Sequence, residues 1–411
     1  MAEPGRLMPA QPTPLQRHWQ TQEFGMFCHF GINTFYGKEW SDGSLNPAVF
    51  NPAHLDTRQW VQIAQTAGMR YLIFTAKHHD GFCLWPTETT SYSVKASPYR
   101  DGRGDIVSEV AQACLAAGLH FGLYLSPWDR HEPCYSDPKA YDDFYVRQLT
   151  ELCTRYGPLF ELWFDGAGSD GRMYNWEGIM EVAVHYQPQA AIFNMGQPTI
   201  RWVGNEDGLA QDPNFYSVDG QYLPPECDVP IRQNWFWQAD DLQTLKSVEH
   251  LLGIYYRSVG YGANLLLNIP PDNTGLLDTR DCQRLLEFTK AVRQRFAAPI
   301  PGAIQQEGTS VSIRFDTRVS FDHLVLQEDL DNGQWVNEYR IFNGEKLITQ
   351  GHTIGHKKIE AFPLIQTDQI QMELNSPAAR LSNVTAFKTG HESLPQMGVS
   401  EIDEKRWERI S

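Results

Sequence analysis

Basic residues are scarce in this chain. Lys and Arg total 34 against 50 Asp and Glu, for a formal net charge of −16. Such a surface repels polyanions, so neither nucleic acid nor an anionic membrane is expected as a partner. Long apolar runs are also lacking, and no stretch approaches the ~20 residues of a transmembrane helix. The seven cysteines (Cys28, Cys83, Cys114, Cys134, Cys153, Cys227 and Cys282) are odd in number and include no Cys-x-x-Cys pair. That removes the usual dithiol and zinc-ribbon signatures. Cys28 and Cys153 sit inside apolar runs, so reduced, buried thiols and a cytoplasmic setting are expected. No basic segment followed by an apolar one comes after Met1, although a chain trimmed of its leader for the periplasm or the exterior would look the same. There is no Gly-x-Gly-x-x-Gly after the first apolar run, which counts against a dinucleotide-binding sheet.

What the chain has is length, aromatics and alternation. Its 411 residues exceed one ordinary domain and suffice for a barrel plus an accessory module. Twelve tryptophans exceed ordinary core needs and suit sugar binding, because the C–H face of a sugar stacks on an aromatic ring. Apolar runs at Phe24–Gly31, Tyr71–Ala76, His120–Ser126, Leu159–Gly166, Ala190–Met195 and Ala263–Pro271 alternate with amphipathic stretches. The latter are Thr57–Gly68, Asp105–Gly118, Ala140–Tyr156, Trp176–Gln187 and Leu242–Gly260, with Asp105 as an N-cap and Gly68 and Gly118 as stops. Near-continuous apolar strands between helices predict a parallel α/β sheet covered on both faces. The repeat suits a (β/α)8-like barrel, irregular where residues 197–240 lack helical pattern.

The pattern changes near residue 297. Ser310–Phe315, His323–Gln327 and Gln369–Leu374 alternate with period two, punctuated by Asp331-Asn-Gly and Asn343-Gly. We expect a catalytic barrel over residues 1–297 and a C-terminal antiparallel β-sandwich over 298–411.

The run Leu159–Gly166 ends on a single carboxylate, Asp165, followed by glycine. It reads either as a turn aspartate satisfied by backbone amides or as a group kept for chemistry, because strand ends of α/β barrels carry the catalytic residues. Other predicted strand ends supply His29, His78, His79, Tyr124, Ser126, Trp128 and Asn194, and the 197–240 loops add Arg201, Glu206 and Trp235. Two chemistries compete. His29, His78, His79 and Asp165 could ligate a metal, as in barrel hydrolases. However, adjacent histidines on an extended chain point apart, and no His-x-His pair marks the first strand. Alternatively, imidazoles and Tyr124 bond sugar hydroxyls while two carboxylates react.

Several blocks resemble the retaining α-L-fucosidases of glycoside hydrolase family 29. They are His29-Phe-Gly, Glu39-Trp40, Thr75–Trp85 with its Lys-His-His-Asp-Gly-Phe core, Tyr124–Trp128, Trp163-Phe-Asp165-Gly, Arg201–Glu206, Glu226–Arg232 and Asn264–Pro271. The likeness runs from residue 18 to about 296, and His352–Ile359 resembles the family's β-domain less specifically. Gly204-Asn-Glu206 and Glu226-Cys-Asp-Val resemble the branch acting on α-1,3/1,4-linked fucose of Lewis-type glycans.

The resemblance implies Asp165 as nucleophile and Glu206 as general acid/base. It also implies His29, Glu39, Trp40, His78, His79, Tyr124 and Trp235 as holders of fucose, with no cofactor and no catalytic metal. The implied reaction is exo-hydrolysis of a fucosylated oligosaccharide or glycoconjugate through a covalent fucosyl-aspartate. Asp165 must then stay ionised, held by a tyrosine, a histidine or a backbone amide, while Trp202 and Val203 favour a proton on Glu206. Without the family, Asp207, Asp212 and Glu226 rival Glu206. The chain departs from the branch at Asp207–Ser217 and at Gln233-Asn, where the leaving group would sit. The alternatives are a broader α-L-fucosidase or α-galactoside-type glycosidase, a metal-dependent barrel hydrolase, and a non-catalytic fucose-binding protein.

Overall fold

A computed structural model describes residues 8–168 and 171–397; the leader reading at Met1 lies outside them. The apolar runs become parallel strands: β1 (Phe24–Cys28), β2 (Tyr71–Lys77), β3 (His120–Leu125), β4 (Glu161–Trp163), β5 (Ala191–Phe193) and β6 (Arg201–Trp202). A short hairpin follows, β7 (Ser217–Val218) with β8 (Gln221–Tyr222), and then come β9 (Pro225–Pro230) and β10 (Asn264–Asn268). The sheet runs β5-β4-β3-β2-β1-β10-β9-β6, and a parallel bridge from Phe193 to Ile200 brings β5 back to β6. The result is a nearly closed eight-stranded barrel. Every residue of β1, β2 and β10 is buried, as a sheet covered on both faces requires.

The helices are α1 (Pro14–Gln20), α2 (Ile32–Tyr36), α3 (Thr57–Ala67), α4 (Ile106–Ala117), α5 (Pro138–Arg155), α6 (Trp176–Tyr186), α7 (Val248–Arg257) and α8 (Thr279–Arg295). Their ends follow local chemistry. The Asp105 side chain accepts from the Ser108 amide, and α4 stops at Gly118, whose φ of +67° suits glycine. No helix separates β5 from β6, and the β7–β8 hairpin stands where one would follow β6. The loop-rich reading of 197–240 missed the strands β6 and β9 hidden there.

Aromatic side chains fill the barrel, among them Phe27, Tyr71, Trp163 and Phe193. Beneath them lies a polar layer. Glu226 accepts from Tyr71 Oη (2.7 Å) and Trp163 Nε1 (3.1 Å), while Glu161 accepts from Trp19 Nε1 (2.8 Å). Asn264, the first residue of β10, donates to the Trp19 carbonyl, so α1 plugs the N-terminal end of the barrel. All seven cysteines are free, and six are buried. Among the described residues no helix is long and apolar enough to cross a membrane.

After α8 the chain enters one antiparallel sheet. It comprises β11 (Ile300–Pro301), β12 (Ala303–Glu307), β13 (Ser310–Glu328), β14 (Tyr339–Asn343), β15 (Lys346–Gly351), β16 (Lys358–Leu374) and β17 (Leu381–Phe387). The segments read as separate strands at 310–315 and 323–327 are parts of β13. Register breaks at Arg314/Val319 and Phe321/His323 bend its pairing with β16, which lets one sheet fold over its own core of Val311, Leu324, Ile341 and Met372. The sheet holds the barrel through charge. Glu23, just before β1, meets His356 (3.0 Å) and Lys357 (2.5 Å), and Lys358 meets Asp212 (2.9 Å). Burial alone would raise the Glu23 pKa, but the His356 hydrogen bond and the Lys357 charge outweigh it and bring it to about 2.

Candidate active site

The C-terminal strand ends surround a cavity of about 580 Å³. Eight of the nine residues expected at the site line it: His29, Trp40, His78, His79, Tyr124, Asp165, Glu206 and Trp235. The ninth, Glu39, stands behind the wall. Its carboxylate accepts from the Trp235 amide (2.9 and 3.0 Å) and the Phe236 amide (3.2 Å), tying the loop after β1 to the loop after β9. Phe236 backs the site edge-on to His29 and His78.

Asp165 leaves β4 with both oxygens engaged. Oδ2 accepts from Tyr124 Oη (2.9 Å) and Oδ1 from the Ala167 amide (2.8 Å). Its side chain keeps 23% exposure, enough to meet a ligand. The turn beyond it needs Gly168. That residue has φ +69°, and a Cβ there would come within 2.0 Å of the Trp128 ring.

The imidazoles are neutral, and their tautomers follow from their partners. Ser126 Oγ gives its one hydrogen to the Trp128 carbonyl (2.7 Å), so His79 must donate from Nδ1 to Ser126 (2.7 Å). Its Nε2 lone pair then faces the cavity, 3.6 Å from Asp165 Oδ2. Burial outweighs the Asp165 charge and lowers the His79 pKa to about 4. His29 repeats the pattern. Asn268 Nδ2 donates to the Trp235 carbonyl (2.8 Å), leaving Oδ1 to accept from His29 Nδ1 (3.0 Å). Burial lowers the His29 pKa to about 3 despite that bond. Both rings thus present an acceptor, suited to a sugar hydroxyl. His78 lies parallel to Tyr124, with centroids 5.5 Å apart, and burial keeps it well below the usual histidine range. Among the described residues no group of three His, Cys, Asp or Glu side chains is arranged to hold a metal ion.

The rivals of Glu206 lie elsewhere. Glu226 is sunk in the barrel beneath Trp163, Asp212 pairs with Lys358, and Asp207 is exposed outside the cavity wall. Arg201, expected at the rim, turns away to Asn214 Oδ1 (2.9 Å) and the Phe215 carbonyl (3.3 Å). Asn194 does line the cavity, as its strand-end position suggested. One carboxyl was overlooked. Asp228 faces the cavity from β9 and accepts from Trp202 Nε1 (2.7 Å). The Glu226-Cys227-Asp228 alternation would have revealed it had residues 225–230 been read as a strand.

Known proteins resemble this chain over most of its length. The α-L-fucosidase family model matches residues 36–294. Alpha-L-fucosidase 1 of Arabidopsis thaliana is 38% identical over 415 residues, covering 85% of this chain and 81% of the relative. A glycoside hydrolase 29 family member from an unknown rumen bacterium superposes with a TM-score of 0.87 at 32% identity, over 97% of this chain and 80% of that one. A Ruminococcus gnavus GH29 fucosidase solved in complex with fucose does so with a TM-score of 0.83 at 29% identity, over 94% and 97%. This chain belongs to the α-L-fucosidases of glycoside hydrolase family 29.

Proposed function

We propose that this α-L-fucosidase is a retaining exo-enzyme releasing terminal α-1,3/1,4-linked fucose from Lewis-type oligosaccharides or glycoconjugates. The observation that carries the chemistry is Asp165, ionisable, oriented on both oxygens and facing a cavity that Glu206 also lines. Asp165 attacks the anomeric carbon as the glycosidic C–O bond breaks, and Glu206 gives its proton to the departing oxygen. Water then attacks the same carbon, Glu206 takes its proton, and the aspartyl ester is cleaved with net retention. The acceptor nitrogens of His29 and His79 hold sugar hydroxyls, and Trp40 and Trp235 supply apolar walls.

The linkage reading rests on Gly204-Asn-Glu206 and Glu226-Cys-Asp-Val, which lie side by side where the Val203 amide donates to the Glu226 carbonyl (3.0 Å). We also assign residues 1–297 to the catalytic unit and 298–411 to a supporting β-domain, and a cytoplasmic setting fits the free cysteines. The test is fucose release from a branched Lewis trisaccharide, 2′-fucosyllactose and an aryl fucoside, with the anomer first formed followed by NMR. Preference for the branched substrate and first release of the α-anomer are expected. Strong 2′-fucosyllactose cleavage overturns the linkage, and first release of the β-anomer overturns the mechanism.

A further inference from the structure

The mechanism above uses two carboxyls, yet a third faces the same cavity. Asp228 sits mid-strand on β9 with its carboxyl turned to the lumen and its Oδ1 anchored by Trp202 Nε1. Trp202 ends β6, and Glu206 lies on the loop that leaves it. Because β6 and β9 pair in parallel, with Trp202 opposite Glu226, that loop runs beside the level of Asp228. We propose that Asp228 and Glu206 form one proton-sharing pair, in which Asp228 is a positioning residue that keeps a proton available to Glu206. The proposal rests on Glu206 being the acid/base.

The surroundings of Asp228 favour such sharing. On its own strand Glu226 lies two residues below, and on β10 its register partner is the apolar Leu266. Asp165 lines the same cavity, and the other titratable groups there, His29, His78, His79 and Tyr124, are neutral, burial lowering the histidines and raising the tyrosine. The cation of β6, Arg201, is turned to Asn214 and Phe215. Burial, followed by the charges of Glu206 and Glu226, holds the Asp228 carboxyl well above the ordinary carboxylate range, and the Trp202 bond only partly offsets this. Two carboxyls that line one cavity, one acting on the other through its charge, do not both ionise readily. The last proton therefore leaves the pair at higher pH than it would leave a lone loop glutamate.

The experiment is the pH profile of kcat/KM on a fucoside with a poor leaving group. In Asp228→Asn, whose amide oxygen still accepts from Trp202, the alkaline limb should move down by about one pH unit or more. Asp228→Ser removes the carboxyl with a smaller side chain and should move the limb the same way, which covers a folding failure of the Asn variant. An unmoved limb, or a uniform loss at every pH, overturns the pairing. Glu206→Ala separates the two claims. If it damages poor and activated leaving groups equally, the acid/base reading falls and the pair with it. If it spares the activated substrate while the Asp228 variants leave the limb in place, only the pairing falls.

Discussion

Tyr124→Phe distinguishes two uses of one hydroxyl. Family likeness makes Tyr124 a holder of fucose, but its hydroxyl donates to Asp165 Oδ2 at 2.9 Å. The ring is clamped between His78 and Trp163 and is 1% exposed, so phenylalanine should occupy the same place. A hydrogen bond to a charged group is worth about 1.5–3 kcal/mol. On the proposed mechanism Asp165 attacks as a carboxylate, whose charge the first transition state consumes in part. Losing the bond therefore leaves the glycosylation barrier unchanged or lower. In the second step the neutral ester must become a carboxylate again, and the missing donor is felt as charge develops. With half the charge formed, deglycosylation slows about 4- to 13-fold; with full charge the limit is about 13- to 160-fold. We expect kcat and KM to fall together, kcat/KM to hold within a few-fold, and stopped-flow to show a burst of aryl leaving group as fucosyl-enzyme accumulates. A parallel fall in kcat and kcat/KM with no burst would refute this and return Tyr124 to sugar binding.

Other outcomes follow from the same geometry. Asp165→Ala should cut turnover by several orders of magnitude, with azide restoring activity as β-fucosyl azide; near wild-type turnover would remove the nucleophile. Glu39→Ala leaves the Trp235 and Phe236 amides without their acceptor, at about 1–3 kcal/mol. It should raise KM and lower the Tm by several degrees, and an unchanged KM would mean that Trp235 does not wall the site. Burial raises Asp80, Glu226 and Glu328 to about 7 each, so the folded state keeps protons that the unfolded chain surrenders above about 4.5. Their stabilising contribution is complete below that pH and is lost as the pH climbs through 7. Glu23 has the opposite sign: its pairing stabilises above about 4.5 and is lost as the pH falls toward 2. Below about 6.5 the neutral buried His29, His78 and His79 act against this trend, because the unfolded chain protonates them and the fold does not. Thermal unfolding from pH 7 to 8.5 should therefore show Tm falling, and a rising Tm there would contradict the buried carboxyls.

The barrel was legible where its repeat is regular. β1 to β5 and β10 announced themselves as apolar runs because they are buried on both faces, and α4 was marked at both ends by Asp105 and Gly118. Asp165 makes the backbone contact expected of a turn aspartate, Oδ1 on the Ala167 amide, while Oδ2 accepts from the Tyr124 hydroxyl, a partner 41 residues away that the local sequence does not reveal. The roles of Glu39 and Ser126 were not legible, because each acts through a partner remote in sequence: Glu39 through the Trp235 amide, and Ser126 through His79.

The harder region has a structural cause. β6 is two residues long, no helix precedes it and a hairpin replaces the helix after it, so neither period two nor period 3.6 had room to develop between residues 197 and 225. β9 hides differently. Glu226 and Asp228 place two carboxylic acids on the inward face of a strand whose neighbours are apolar, which looks in sequence like a solvated loop. Only the barrel interior reverses that reading. There Tyr71 and Trp163 satisfy Glu226, Trp202 satisfies Asp228, and burial holds protons on both. The loop that carries Glu206 leaves β6, which no helix flanks, and brings Glu206 to the cavity wall. The Lys358–Asp212 pair ties the segment that follows Glu206 to the β-domain, and on the proposed mechanism this gives the β-domain a part in placing the acid/base. Lys358→Met should accordingly reduce activity on poor leaving groups more than on aryl fucosides. Equal losses would mean that the pair serves stability alone.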